Sequence, residues 1–187
     1  MQKWKLSEIV LLGFLAFLFG AVFMLAGYLY TGLLVVLTPM GLSPFANELL
    51  FGMWTMAAPV AGILIRKPGS SVLGEVFAAV AEMLYGSYFG AGVILSGILQ
   101  GAGTELGFLL TRYKRYDTVP LIYGAIGTTM ISFTYEFFKF GYGTYGLAMV
   151  CGLLIVRFLS VLFFGVVLVK QMMKFYEAFK HSEGTVE

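Results

Sequence analysis

The run IVLLGFLAFLFGAVFMLAGYLYTGLLVVL, residues 9–37, contains no Asp, Glu, Lys or Arg. A helix on the surface of a soluble protein needs a polar face, and this stretch offers none. About 20 consecutive apolar residues suffice to cross the hydrocarbon of a bilayer, so the run predicts a membrane span. Lys3 and Lys5 precede it as in a secretory signal, but no convincing small-residue cleavage site follows, so the segment reads as a first span.

Working outward, the whole chain has the same character. It has 187 residues, 59% of them hydrophobic and 12% charged. Soluble domains carry roughly twice that charged fraction, so lipid must solvate the excess apolar surface. Spans are predicted near 7–34, 45–65, 71–88, 90–111, 119–138 and 145–169, separated by Pro/Gly, charged or glycine–aromatic turns. The expected fold is an all-α membrane protein, one domain over 1–187, built as a bundle of six transmembrane helices. The apolar runs lack the alternation of an outer-membrane barrel. Of the twelve Lys and Arg, all but Lys139 and Arg157 fall at the N-terminus, in the turns at Arg66 and Arg112, or from Lys170 onward. With six spans those four places share one side, so both termini are expected to be cytoplasmic. The polar tail after Phe179, with His181, is expected to fray.

Several function classes are excluded early. Cys151 is the single cysteine, so no internal disulfide forms. No metal-ligand spacing occurs, and no metal or nucleic acid is expected as a partner. No phosphate-binding loop of the Gly-x-x-x-x-Gly-Lys-Ser/Thr kind is present, so the chain needs an ion gradient or an energised partner to drive transport. An intramembrane enzyme would need a nucleophile, a metal or a close carboxylate pair. Glu75 and Glu82 stand two turns apart, roughly 10 Å by helical rise, which is too far for one bond. The chain is not read as an enzyme.

Ionisable groups at membrane depth cost about 2.5–3.5 kcal/mol on insertion scales, and five carboxylates lie there: Glu48, Glu75, Glu82, Glu105 and Glu136. Arg157 is expected to pair with Glu105 or Glu75, and Lys139 with Glu136, one turn away. Two or three acids then remain unpaired, either protonated or awaiting a cation. Glu82, in mid-span with Tyr85 three residues on, is the leading candidate for a ligand contact. Glu48, beside Asn47, reads either as an N-terminal cap or as part of the site. Trp54 lies one helical repeat after Asn47, where an indole can stack on a flat ring or face a cation. Gln100 can orient a heterocycle or bond a neighbouring helix, as can Thr104. Tyr135 and Glu136 complete the candidates in the outer half. The small-residue stripe Gly13, Ala16, Gly20 suits close approach of another helix, inside the bundle or from a partner. The pattern implies an outward-opening, aromatic site with surplus negative charge, suited to an organic cation.

The chain resembles a substrate-binding S component of an energy-coupling factor (ECF) transporter, in particular the YkoE type assigned to thiamine or its hydroxymethylpyrimidine precursor. The resemblance covers nearly the whole chain and rests on its length, six spans, the Ala16-x-x-x-Gly20 stripe, the segment NELLFGMWTMAAP (47–59) and the run GEVFAAVAEMLYG (74–86). The usual stripe is Ala-x-x-x-Ala, and Gly20 departs from it. The resemblance implies a high-affinity vitamin-binding subunit of an ABC importer in the plasma membrane of a prokaryote. Its pocket is expected beneath the loop 38–44. A transmembrane T component and two ATPases that hydrolyse the ATP are the implied partners, and the chain itself holds no cofactor. A different vitamin, such as riboflavin or biotin, or a solitary ion-driven carrier, are the alternatives.

Overall fold

The computed structural model describes residues 3–183. Helix α1 runs Leu6–Leu37, and its tip is closed by the turn through Gly41. Helix α2, Pro44–Leu50, continues through a 3-10 turn, Phe51–Thr55, into α3, Ala57–Ile65. Helices α4 (Ser70–Leu84), α5 (Gly92–Leu110) and α6 (Thr118–Lys139) follow. A short 3-10 turn, Tyr142–Thr144, leads into α7, Leu147–Leu162, which passes through a π-helical turn, Phe163–Leu168, into α8, Val169–Glu183. Counting α2–α3 and α7–α8 as single interrupted rods, the bundle has six helices. Among the described residues there is no strand.

Four rods are long and apolar enough to cross a bilayer: Leu6–Met40, Pro44–Ile65, Gly92–Leu110 and Leu147–Lys180. Their outward side chains, among them Phe14, Phe17, Leu25, Leu109, Ile155 and Leu159, are exposed. Such a belt has lipid as its natural solvent. The protein is a multi-pass membrane protein.

Packing follows the small residues. α1 and α5 both lie against α4, and α5 lies against α6. A side chain at Gly103 would collide with the backbone of Thr128, and one at Gly107 with Pro120 and Gly124, so α5 and α6 touch backbone to backbone. The same logic corrects the partner stripe on α1. A Cβ at Gly20 would meet Ala81 Cβ at 2.6 Å and the Ala78 carbonyl at 3.2 Å, and Ala16 is buried. Gly20 is used to seat α4, and Ala16 is internal. Gly13, in contrast, has nothing within 4 Å of where a Cβ would stand.

Three further expectations are corrected. The second span is not a continuous helix: Gly52 abuts Ser160, whose Oγ accepts from Gly52 N at 2.9 Å, and the rod changes pitch there. α4 ends at Leu84 rather than Tyr88, because Gly86 turns the chain at φ 97°. The C-terminal helix reaches Glu183 instead of fraying after Phe179, with Met172 and Met173 packed against the core. The side chain of His181 and residues 184–187 lie outside what is described.

The basic turns meet at one end of the bundle. Lys67 Nζ donates to the Lys3 carbonyl at 2.7 Å and pairs with Glu8 at 2.6 Å. Tyr116 donates to the Arg66 carbonyl at 3.0 Å, and the Arg66 guanidinium lies 5.2 Å from the Tyr116 ring centroid.

Candidate functional site

At the opposite end the helices enclose a cavity of about 480 Å³, counting its open mouth. Phe23 of α1, Phe51 and Trp54 of the interrupted rod, and Phe89 of the loop after α4 form its aromatic walls. The Trp54 and Phe89 rings stand edge to face, 5.6 Å between centroids, and Tyr30 packs against both. Trp54 Nε1 donates to the Phe23 carbonyl at 3.1 Å, which fixes the indole plane.

The polar wall is built from four elements. Asn47 comes from α2, Glu82 from α4, Gln100 from α5, and Glu136 with Lys139 from α6. Glu82 accepts from Ser87 Oγ at 2.9 Å, and Ser87 belongs to the turn that Gly86 creates. The surroundings of Gln100 assign its amide orientation: with the nitrogen turned toward the Trp54 carbonyl (2.8 Å) and Glu75 Oε1 (3.2 Å), it donates to both. Glu75 also accepts from Ala58 N at 2.7 Å, at the first turn of α3. Glu75 is therefore neither solvated nor ion-paired. It caps the lower half of the interrupted rod.

Behind the cavity sits an ion network. Arg157 donates to Glu48 through Nε at 2.5 Å and Nη2 at 2.8 Å, and Nη2 also pairs with Glu136. Asn47 Nδ2 donates to Glu136 at 2.8 Å, and Tyr142 donates to Glu48 at 2.8 Å. The guanidinium lies over Phe51 at 3.9 Å and Phe133 at 5.1 Å. Removing two carboxylates and one cation from water is costly unless hydrogen bonds compensate; here Glu48 accepts from Arg157 and Tyr142, and Glu136 from Arg157 and Asn47.

These contacts revise the charge assignments. Arg157 pairs with Glu48 and Glu136, not with Glu105 or Glu75. Lys139 does not pair with Glu136; its ammonium lies over the rings of Tyr135 and Phe140 at 5.2 and 5.3 Å. Glu48 is not a cap but the bidentate partner of Arg157. Glu105 accepts from Gly69 N at 2.7 Å, Ser71 N at 3.0 Å and Tyr113 OH at 2.8 Å, so it caps α4 from the neighbouring helix. Thr104 meets the Thr128 hydroxyl at 3.0 Å. The expected surplus of unpaired acids is thus largely absorbed by the backbone, one arginine and hydroxyls. Glu82, with a neutral hydroxyl partner, is the acid left on the cavity wall.

Of the candidate residues, Trp54, Glu82, Asn47, Gln100 and Glu136 line this one cavity. Glu48 lies behind it. Tyr85 turns away: its hydroxyl donates to the Phe17 carbonyl at 3.2 Å on the outer face of α1. Tyr135 is rotated off the wall, one residue from Glu136 and so about 100° around the helix. The loop 38–44 contributes no lining residue, and Phe89, Lys139 and Phe140 bound the mouth instead. Phe23, Phe89 and Ser96 do not stand out in the sequence. Ser96 lies four residues before Gln100 on the same helical face, which is the only signal it gives.

A six-helix membrane bundle with an aromatic cavity open at one end is the architecture the chain presents. Comparison with known proteins narrows the class. Residues 7–131 match the family described as "ABC-type cobalt transport system, permease component". A Bacillus subtilis (strain 168) protein, provisionally named HMP/thiamine permease protein YkoE, is 36% identical over 160 residues, which is 86% of this chain and 78% of that protein. A crystal structure of an S component of an ECF transporter superposes with a TM-score of 0.84 at 32% identity, covering 95% of this chain and 88% of the other. The chain belongs to the S components of ECF transporters, in the family of that permease. It is a transport subunit and not an enzyme, a member of a class that works with a T component and ATPases.

Proposed function

We propose that this chain is the high-affinity binding subunit for thiamine, or for its hydroxymethylpyrimidine precursor, in an ECF importer. One observation carries the reading: a carboxylate with no ion-pair partner among the described residues, Glu82, stands on the wall of a cavity whose aromatic side is formed by Phe23, Phe51, Trp54 and Phe89. A flat cationic ring gains from aromatic faces and from a nearby carboxylate. The Gln100 amide, held by Trp54 and Glu75, leaves its carbonyl oxygen as an acceptor for a ring amine. The name given to the Bacillus relative supports the same ligand class.

Cobalt, named in the family description, fits the site less well. Glu136 is held by Arg157 and Asn47, Glu82 by Ser87, and the rest of the described wall offers an amide, a hydroxyl and an ammonium among apolar side chains but no imidazole, thiolate or further carboxylate. A transition metal seeks imidazole, thiolate or several carboxylates together.

The rest of the proposal follows the resemblance. The end that gathers Lys3, Arg66, Lys67 and the 112–117 turn faces the cytoplasm of a prokaryote, and the cavity faces outward. A T component and two ATPases supply the energy. Because Ala16 and Gly20 are internal, half-buried Gly13, with exposed Val10 and Phe17 on the same face of α1, is the place for the T component to dock.

The test is titration of the purified protein with thiamine, hydroxymethylpyrimidine, riboflavin, biotin and Co²⁺. Sub-micromolar binding of thiamine or the pyrimidine is expected, with a loss of about 100-fold or more, near 2.8 kcal/mol, in Glu82→Ala/Trp54→Ala. Unchanged affinity in that double variant removes the site; a response to riboflavin, biotin or Co²⁺ alone removes the ligand.

A further inference from the structure

The ligand cavity carries charge of both signs. Its closed end is marked by residues almost out of reach of solvent, Glu82 at 2% and Gln100 at 5% exposure. Its open end is marked by Gly92, Lys139 and Phe140, all exposed. The carboxylate is therefore deep, and the ammonium of Lys139 is at the mouth.

Lys139 is not engaged by an acid. Glu136, one turn before it, is taken by Arg157 and Asn47. Among the described residues Lys139 forms no ion pair, and its Nζ rests on the rings of Tyr135 and Phe140. Ring contacts of an exposed ammonium are weak beside a charge-assisted hydrogen bond, so the group can leave them at little cost. Its reach is right: Nζ would lie 3.8 Å from a Cβ on Gly92, across the mouth on α5. The first turn of α5 adds potential of the same sign.

We propose that Lys139 is a specificity-determining residue that receives an anionic substituent on the ligand's tail. The cavity would then take the phosphomonoester of its ring ligand as well as the free alcohol. This rests on the thiamine-class reading of the cavity. A cationic ring against Glu82 and a phosphate against Lys139 place opposite charges together at both ends of one zwitterion. The free alcohol offers Lys139 no charge to meet.

The test is calorimetric titration of the full-length protein in detergent with thiamine and with thiamine monophosphate, for the native chain, Lys139→Gln and Lys139→Arg. The native chain is expected to bind the monophosphate within about threefold of thiamine. In Lys139→Gln the loss for the monophosphate should exceed the loss for thiamine by about tenfold, the equivalent of one charge-assisted contact near 1.4 kcal/mol. Lys139→Arg should restore most of it, and raising salt from about 0.05 to 0.5 M should narrow the gap. Thiamine binding with rejection of the monophosphate by the native chain overturns this inference and leaves the thiamine reading intact. Equal losses for both ligands in Lys139→Gln also overturn it. Binding of neither ligand overturns both.

Discussion

Arg157 grips Glu48 through two hydrogen bonds, 2.5 and 2.8 Å long, although the residues are 109 positions apart and neither side chain touches solvent. The pair ties α7 to α2, and Glu136 on α6 shares the guanidinium. Three rods of the bundle are thereby fixed around the back of the cavity.

Arg157→Met should therefore be severely destabilising. It leaves Glu48 and Glu136 buried with only Tyr142 and Asn47 as donors. Removing one partner of a buried pair costs about 3–5 kcal/mol. Thermal unfolding in detergent reads this directly. Lys in place of Arg should recover little, because it lacks the planar fork that meets Glu48 twice and stacks on Phe51. Glu48→Gln added to Arg157→Met should regain part of the loss. If the double variant is no more stable than the single one, buried charge is not the cause.

The α5–α6 seam gives a steric prediction with no charge in it. Gly107 faces the Pro120 carbonyl and the Gly124 backbone, and neither can swing aside as a side chain would. Gly107→Val should push the helices apart and cost about 1–3 kcal/mol or more, the range for overpacking. The same change at Gly13, where nothing lies within 4 Å, should leave the unfolding midpoint almost unmoved. Equal effects at the two glycines would contradict the packing described.

Each of these features draws on a different kind of information in the sequence. The first span and the basic turns are legible because each is local: an apolar run without charge, or Arg66-Lys67-Pro68-Gly69. Five residues of one cavity wall, Asn47, Trp54, Glu82, Gln100 and Glu136, are legible too, since polar groups at membrane depth stand out one at a time. Their partners are not. Arg157 has several acids at similar depth to choose from, and only tertiary register selects Glu48 and Glu136. The break at Phe51–Thr55 arises where Gly52 meets Ser160, a contact that no local pattern announces. Tyr85 misleads because the i+3 rule assumes a continuing helix, and α4 ends at Leu84. Gly20 misleads because a small-residue stripe looks the same whichever helix it serves.

Outside the membrane, Asp117 gives a pH prediction. It caps α6 by accepting from Val119 N at 3.1 Å and pairs with Arg115 at 2.5 Å. The Arg115 hydrogen bond holds its carboxyl below the ordinary 3.8. A carboxyl depressed on folding stabilises the fold above its unfolded pKa, and the benefit fades as pH falls through the folded value. The contribution of Asp117 should be complete above about pH 5 and decline below about pH 4. Asp117→Asn should flatten that part of the native chain's unfolding profile without touching ligand affinity. A profile that is the same in both proteins would place the acid sensitivity elsewhere.

Glu82 and Glu105 give the sharpest contrast, because both are membrane-depth glutamates with opposite employment. Glu105 serves three donors: the backbone of Gly69 and Ser71 at the start of α4, and the Tyr113 hydroxyl. Losing a helix cap costs about 0.5–2 kcal/mol, with a buried charge-assisted contact toward the upper end. Glu105→Ala should lower the unfolding midpoint and leave ligand affinity within about twofold, a difference under roughly 0.5 kcal/mol. Glu82 accepts from a neutral hydroxyl, that of Ser87, and faces the cavity. Glu82→Gln keeps the shape and a hydrogen-bonding group while removing the charge, so stability should hold or rise, since a buried carboxylate without an ion-pair partner is itself a burden. Affinity for a cationic ring should fall by about tenfold or more, the share of a charged contact near 1.4 kcal/mol. Each variant thus moves one measurement and spares the other. A Glu105 variant that loses the ligand while remaining folded would mean that the binding determinant lies at the basic end of the bundle, opposite the cavity.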